Sequence, residues 1–167
     1  MTYESWRKAP VALVALAALA ASCSPRGLAF REDDTVTVLA PRDRSTVSLP
    51  LTIRWRSIDP RATFAVLVDR APMPPGEHLS YLARKDKSCV RTPGCPDRAW
   101  FEARHIYRTT GTAVTLDHLP DTRPRERADR KERHEAVIVL LDEQDRRVGE
   151  AAFFVEFFVT RDRDRLD

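Results

Sequence analysis

The chain has 167 residues, 43% of them hydrophobic and 32% charged, with a formal net charge of +3. That is apolar enough for one domain with a buried core and too apolar for a disordered chain. Its 28 basic and 25 acidic residues are interleaved, which argues against a nucleic-acid-binding surface despite an isoelectric point near 9.0.

Arg7 and Lys8, with Glu4 nearby, precede residues 9–21, which are uncharged and apolar apart from Pro10. A helix of that length rises about 20 Å, short of the ~30 Å hydrocarbon core of a bilayer. The stretch is therefore predicted to be the apolar centre of an export signal, not a membrane span or a core helix. It closes on Leu19-Ala20-Ala21-Ser22-Cys23. This resembles the lipobox of bacterial lipoproteins, in which small residues precede an obligatory cysteine. The resemblance implies cleavage before Cys23, alkylation of its thiol by diacylglycerol, and anchorage outside the cytosol. The site would be the outer face of the plasma membrane, or the outer membrane in a cell that has one. Each buried CH₂ is worth ~0.8 kcal/mol, so two or three acyl chains hold a protein that one would release. The alternative is a plain secretory signal with a chance cysteine.

Residues 1–22 are thus read as a lipoprotein signal peptide, 23–34 as a tether, 35–160 as the folded domain and 161–167 as a charged tail. Strand signals recur through the domain with turns between them. Val36 and Val38 alternate with Thr35 and Thr37, and residues 40–45, APRDRS, turn the chain. Leu51, Ile53 and Trp55 alternate with Thr52, Arg54 and Arg56, which gives one apolar and one wet face. Residues 63–69, TFAVLVD, are apolar on both parities, as a central strand covered on both sides should be.

Residues 70–98 form a long connection with prolines at 72, 74 and 75, so it stays out of any sheet and is expected to cover one end of the domain. With Cys23 assigned to lipid, Cys89 and Cys95 remain as a pair around the Pro93-Gly94 turn. Outside the cytosol they should form a disulfide. Their spacing is not C-x-x-C, and no second ligand pair for zinc is near. Residues 99–108, AWFEARHIYR, read as a strand with Phe101, Ala103, His105 and Tyr107 inward. Val114 and Leu116 mark another.

Residues 121–133 hold ten charged side chains among thirteen and no large apolar one, so they are read as a mobile loop. The strongest signal follows: HEAVIVLLD and GEAAFFVEFFV flank EQDRRV, a β-hairpin with a polar turn. Along its second strand Phe153, Val155, Phe157 and Val159 share one face, while Phe154, Glu156 and Phe158 share the other. The first set is expected to fill the core. Phe154 and Phe158 are candidate partner contacts if their face is open; the alternative is that residues 70–98 fold over it.

Seven or eight short strands with intervening turns predict an all-β fold, a two-sheet antiparallel Greek-key sandwich. The stretches TVTVLAP, LPLTIRW, FAVLVD, AVTLDHL and the final hairpin resemble immunoglobulin-like and fibronectin type III-like domains of bacterial surface proteins. Trp55 stands where such domains often place a core tryptophan. The antibody-type inter-sheet cysteines and a tyrosine before His134 are missing. The resemblance implies a binding or spacer module.

The histidines are His78, His105, His118 and His134. His118 and His134 end and begin strands, so they are expected at one end of the sandwich, where a metal site with Asp117 or Glu135 is conceivable but carries no signature. No G-x-S-x-G, G-x-x-x-x-G-K or H-E-x-x-H occurs. The sequence thus predicts no catalytic residues, no metal and no cofactor. It points to a membrane-anchored, non-catalytic binding or structural module for an envelope protein or polymer. The second reading is a small-ligand or metal-binding receptor built on residues 72–97 and nearby histidines.

Overall fold

The computed structural model describes residues 34–120 and 131–160. The stretch read as a signal peptide, Cys23, the stretch read as a tether up to residue 33, most of the charged stretch 121–133 and residues 161–167 lie outside them. The described residues form eight strands: β1 (Val36–Ala40), β2 (Ser45–Val47), β3 (Leu51–Ser57), β4 (Thr63–Val68), β5 (Ile106–Thr109), β6 (Ala113–Leu116), β7 (Lys131–Leu141) and β8 (Phe153–Thr160). One sheet has the order β1-β3-β6 and the other β2-β8-β7-β4-β5. All pairings are antiparallel except β2 with β8. The expected all-antiparallel arrangement therefore fails at one edge. The three-residue β2, hidden in sequence inside a turn region, runs alongside the last strand and makes that sheet mixed.

The main core holds side chains of both sheets. Val36, Leu51, Ile53, Trp55 and Leu116 come from the smaller sheet; Phe64, Val66, Val68, Ala136, Ile138, Val155, Phe157 and Val159 come from the larger. The alternation in β3 explains its share: Leu51, Ile53 and Trp55 are buried while Arg54 and Arg56 are exposed. Trp55 meets Phe64 edge-on at 5.3 Å between ring centroids, an arrangement that aligns ring edge with ring face.

A second core lies on the opposite face of the larger sheet. Ala65, Leu67, Val137, Val139 and Ile106 are covered there by Met73 and Leu79, with Trp100 and Phe101 packed alongside. This is why β4 and β7 are apolar on both parities. The covering chain is residues 70–105. It lies over a face of the sheet, not over an end of the domain as the sequence had suggested.

This covering segment holds a 3₁₀ turn (Leu79–Ala83) and two short helices, α1 (Lys87–Arg91) and α2 (Arg98–Glu102). Helix α2 corrects the strand expected across residues 99–108, which begins only at Ile106. Asp97 caps α2, its side chain accepting from the Trp100 amide at 2.8 Å, and five residues are too few for a helical period to show in the sequence. A further correction concerns β7, which starts at Lys131, inside the stretch read as a loop, with Glu132 buried.

Candidate functional site

Three features could carry function, and each follows from how the covering segment and the strand ends are held.

The covering segment is pinned to the final hairpin near its start and tied to itself further along. At its start, Gly76 N–H donates to the Arg147 carbonyl at 2.9 Å, Arg147 N–H to the Glu77 carbonyl at 3.0 Å, and Leu79 N–H to the Asp145 carbonyl at 2.9 Å. The Arg147 side chain is buried and donates to the Met73 carbonyl at 2.7 Å and the Glu150 carbonyl at 2.6 Å. Midway along it, Asp86 gathers the two helices. Its carboxylate accepts from the Ser88 and Cys89 amides, from Trp100 Nε1 at 3.0 Å, and from Arg104 Nη2 at 2.7 Å. Hydrogen bonds from Ser88, Cys89 and Trp100 hold its pKa well below the ordinary carboxylate range. The Arg104 guanidinium also stacks on Trp100, 4.1 Å from the ring centroid. Cys89 and Cys95 are bridged, with Cα atoms 5.2 Å apart, and Gly94 takes the positive φ of 80° that the turn between them requires.

Because the segment spans only β5, β4 and β7, the outer face of β8 is left open. Phe154 is 55% exposed there and Phe158 is half-buried. Between them Glu156 is paired with Arg133 at 2.6 Å and with Arg44 at 3.7 Å. Its cross-strand neighbour is Glu135, so the two arginines offset a like-charge pair. The core set on this strand is as the alternation requires: Val155, Phe157 and Val159 are buried.

The second feature is a cleft of about 520 Å³ where β5 and β6, edge strands of the two sheets, run beside α2. Tyr107, Arg108, Val114, Phe101, Pro96 and Asp97 are among its walls. Arg108 is bound to Asp145 at 2.6 Å and Arg98 to Glu102 at 2.6 Å, so its charges are largely matched.

The third feature is a cluster of imidazoles and carboxylates at one end of the sandwich. His134, 2% exposed, donates from Nδ1 to Asp69 Oδ2 at 2.7 Å and stacks on Phe157. Its other nitrogen lies 4.0 Å from Glu132 Oε2. The second Asp69 oxygen accepts from the Glu135 amide at 2.9 Å, while Asp69 N–H donates to the Glu135 carbonyl at 2.8 Å. Opposite Asp69, the His105 carbonyl accepts from Val68 N–H at 3.0 Å. Asp69 and His105 both adopt left-handed φ, 53° and 55°, a backbone cost that non-glycine residues rarely carry without tertiary support. The His105 ring lies edge-on to His118 at 5.3 Å, and its Nδ1 is 3.5 Å from the Tyr107 hydroxyl. Burial, and then the charge of His118, push the His105 pKa below its ordinary value.

The end-of-sandwich placement of His118 and His134 is thus found, but with other companions than Asp117 and Glu135. Asp69 holds His134, and His105 meets His118. Among the described residues no group of three His, Cys, Asp or Glu side chains is placed to bind a metal ion. The Asp69–His134 pair has the hydrogen bond of a catalytic dyad, and the other imidazole nitrogen faces the Glu132 carboxylate. Sequence reasoning missed Asp69 and Glu132, since Asp69 lies 65 positions from His134. His78, by contrast, is used locally, accepting from the Ser80 amide at 3.0 Å to cap the 3₁₀ turn.

No protein-family model matches the chain, and no match is found among curated proteins or solved structures. Among the described residues no helix is long and apolar enough to cross a membrane.

Proposed function

We propose that this chain is a bacterial lipoprotein, moored through acyl chains on Cys23, whose domain is a non-catalytic binding module for a protein or polymer of the cell envelope. The observation that carries the reading is the uncovered outer face of β8, with Phe154 55% exposed beside an arginine–glutamate pair. Two aromatic rings around a charged pair make an apolar contact with a polar rim, the anatomy of a protein-binding patch. We further infer an immunoglobulin-like Greek-key sandwich. The strand division supports it. With the short β2 and β5 set aside, strands one, three and six face strands four, seven and eight.

The test joins anchor and face. Cys23→Ala should leave the product out of the acyl-modified membrane fraction. Phe154→Ser with Phe158→Ser should abolish recovery of a crosslinked envelope partner while circular dichroism stays unchanged. Unchanged recovery overturns the docking face, and a chain that pellets with lipid without Cys23 overturns the anchor.

The second reading, a small-ligand or metal receptor, draws on the cleft that His78, Pro96 and Asp97 help to line. Stoichiometric metal in the purified full chain would favour it.

A further inference from the structure

We propose that the contact between His105 and His118 is an acid-released latch joining the two sheets at one end of the sandwich. His105 stands immediately before β5, an edge strand of the larger sheet, and His118 follows β6, an edge strand of the smaller one. Their rings meet at 5.3 Å across the gap between the sheets. The same two strands wall the cleft through Tyr107 and Val114. Loosening the latch therefore loosens one boundary of that cleft.

The groups around His105 set the direction. Just beyond β4 stand the Asp69 carboxylate, which favours the imidazolium, and Arg70, which opposes it; from β7 comes His134, which also opposes it. His118 opposes it from the end of β6, and the half-buried Tyr107 hydroxyl lies 3.5 Å from its Nδ1. Tyr107 in turn feels Glu102 and Asp117. Burial is the largest influence, and it too disfavours the charged ring. In the closed contact His105 thus binds its proton less readily than a free imidazole, whose ordinary value is 6.5. The open form binds more protons than the closed one as the pH falls through that value. The closed form is therefore fully favoured above it and progressively lost below it. The left-handed backbone at His105 and Asp69 gives the opened end a relaxation to move toward.

The test uses the full-length chain in detergent. Because His118 is exposed, His118→Gln should fold as the parent does. Proton NMR of the His105 ring should give a titration midpoint below 6.5, and His118→Gln should move it upward. Amide exchange, corrected for its intrinsic pH dependence, should speed up across Ala113–Leu116 on going to acid by about tenfold for each unit of midpoint depression. In His105→Gln with His118→Gln that acceleration should disappear. A midpoint at or above 6.5, a midpoint unmoved by His118→Gln, or equal acceleration in the double variant overturns the latch.

Discussion

The outer face of the five-stranded sheet is divided between two regimes. Over β4 and β7, Ala65, Leu67, Val137 and Val139 are shut away beneath the covering segment. Over β8, Phe154 stands 55% exposed and Phe158 half-buried around a charged pair. The border runs between cross-strand neighbours: Val137 is fully buried and its partner Phe154 is not. The composition of the strands explains the difference. β4 and β7 are apolar on both parities because both faces have protein against them. β8 breaks its outer parity with Glu156, which needs water or a cation. A face that interrupts two phenylalanines with a paired carboxylate is suited to an intermittent partner more than to a permanent core.

This contrast can be broken or sharpened by substitution. The largest effect should come from the covered half: Leu67→Ala, buried in the second core, should lower the unfolding free energy by about 2–5 kcal/mol in denaturant titration. Loss of the disulfide through Cys89→Ser with Cys95→Ser should cost about 2 kcal/mol by the chain-entropy account, with exchange protection lost around the covering segment and retained in β7. Removing the buried Arg147 anchor as Arg147→Met leaves carbonyls of Met73 and Glu150 without their donors and should cost about 1–3 kcal/mol. Asp86→Asn should act on the same segment with a definite pH signature. A carboxyl held below its ordinary 3.8 stabilises the fold at neutral pH, and that contribution is lost as pH falls through its depressed folded value. The melting-temperature gap between parent and variant should stay level from neutral pH down toward 4 and close below it. The smallest effect on stability belongs to the open half: Phe154→Ser should change the unfolding free energy by no more than about 0.5 kcal/mol.

Much of this architecture is legible in the residues. The alternation of β3, the two-sided apolarity of β4 and the final hairpin each read directly, because a strand's burial repeats every second residue. The two-sided apolarity of β4 even required a layer on each side of it. What the sequence hid was local or long-range. β2 is three residues long and gains its place only by pairing with β8. Helix α2 is one capped turn and a fraction, and the apolar Trp100 and Phe101 side by side suit a strand equally well. Its Asp97 cap was the available signal, since an aspartate whose side chain reaches the amide three residues on starts a helix. The cluster of Asp69, His105, His118 and His134 has no sequence signature at all. It exists because β4 and β6 end where β5 and β7 begin, and none of its spacings is periodic.

Site-specific photocrosslinking in intact cells tests the docking claim most directly, with the reactive side chain placed in turn at positions 154, 101 and 58. Ile58 is 76% exposed and serves as the surface reference; Phe101 lies against the covered half. Position 154 should yield a discrete adduct with an envelope component, position 101 only products within the chain, and position 58 no discrete adduct. An adduct pattern at 154 no different from that at 58 would contradict the account.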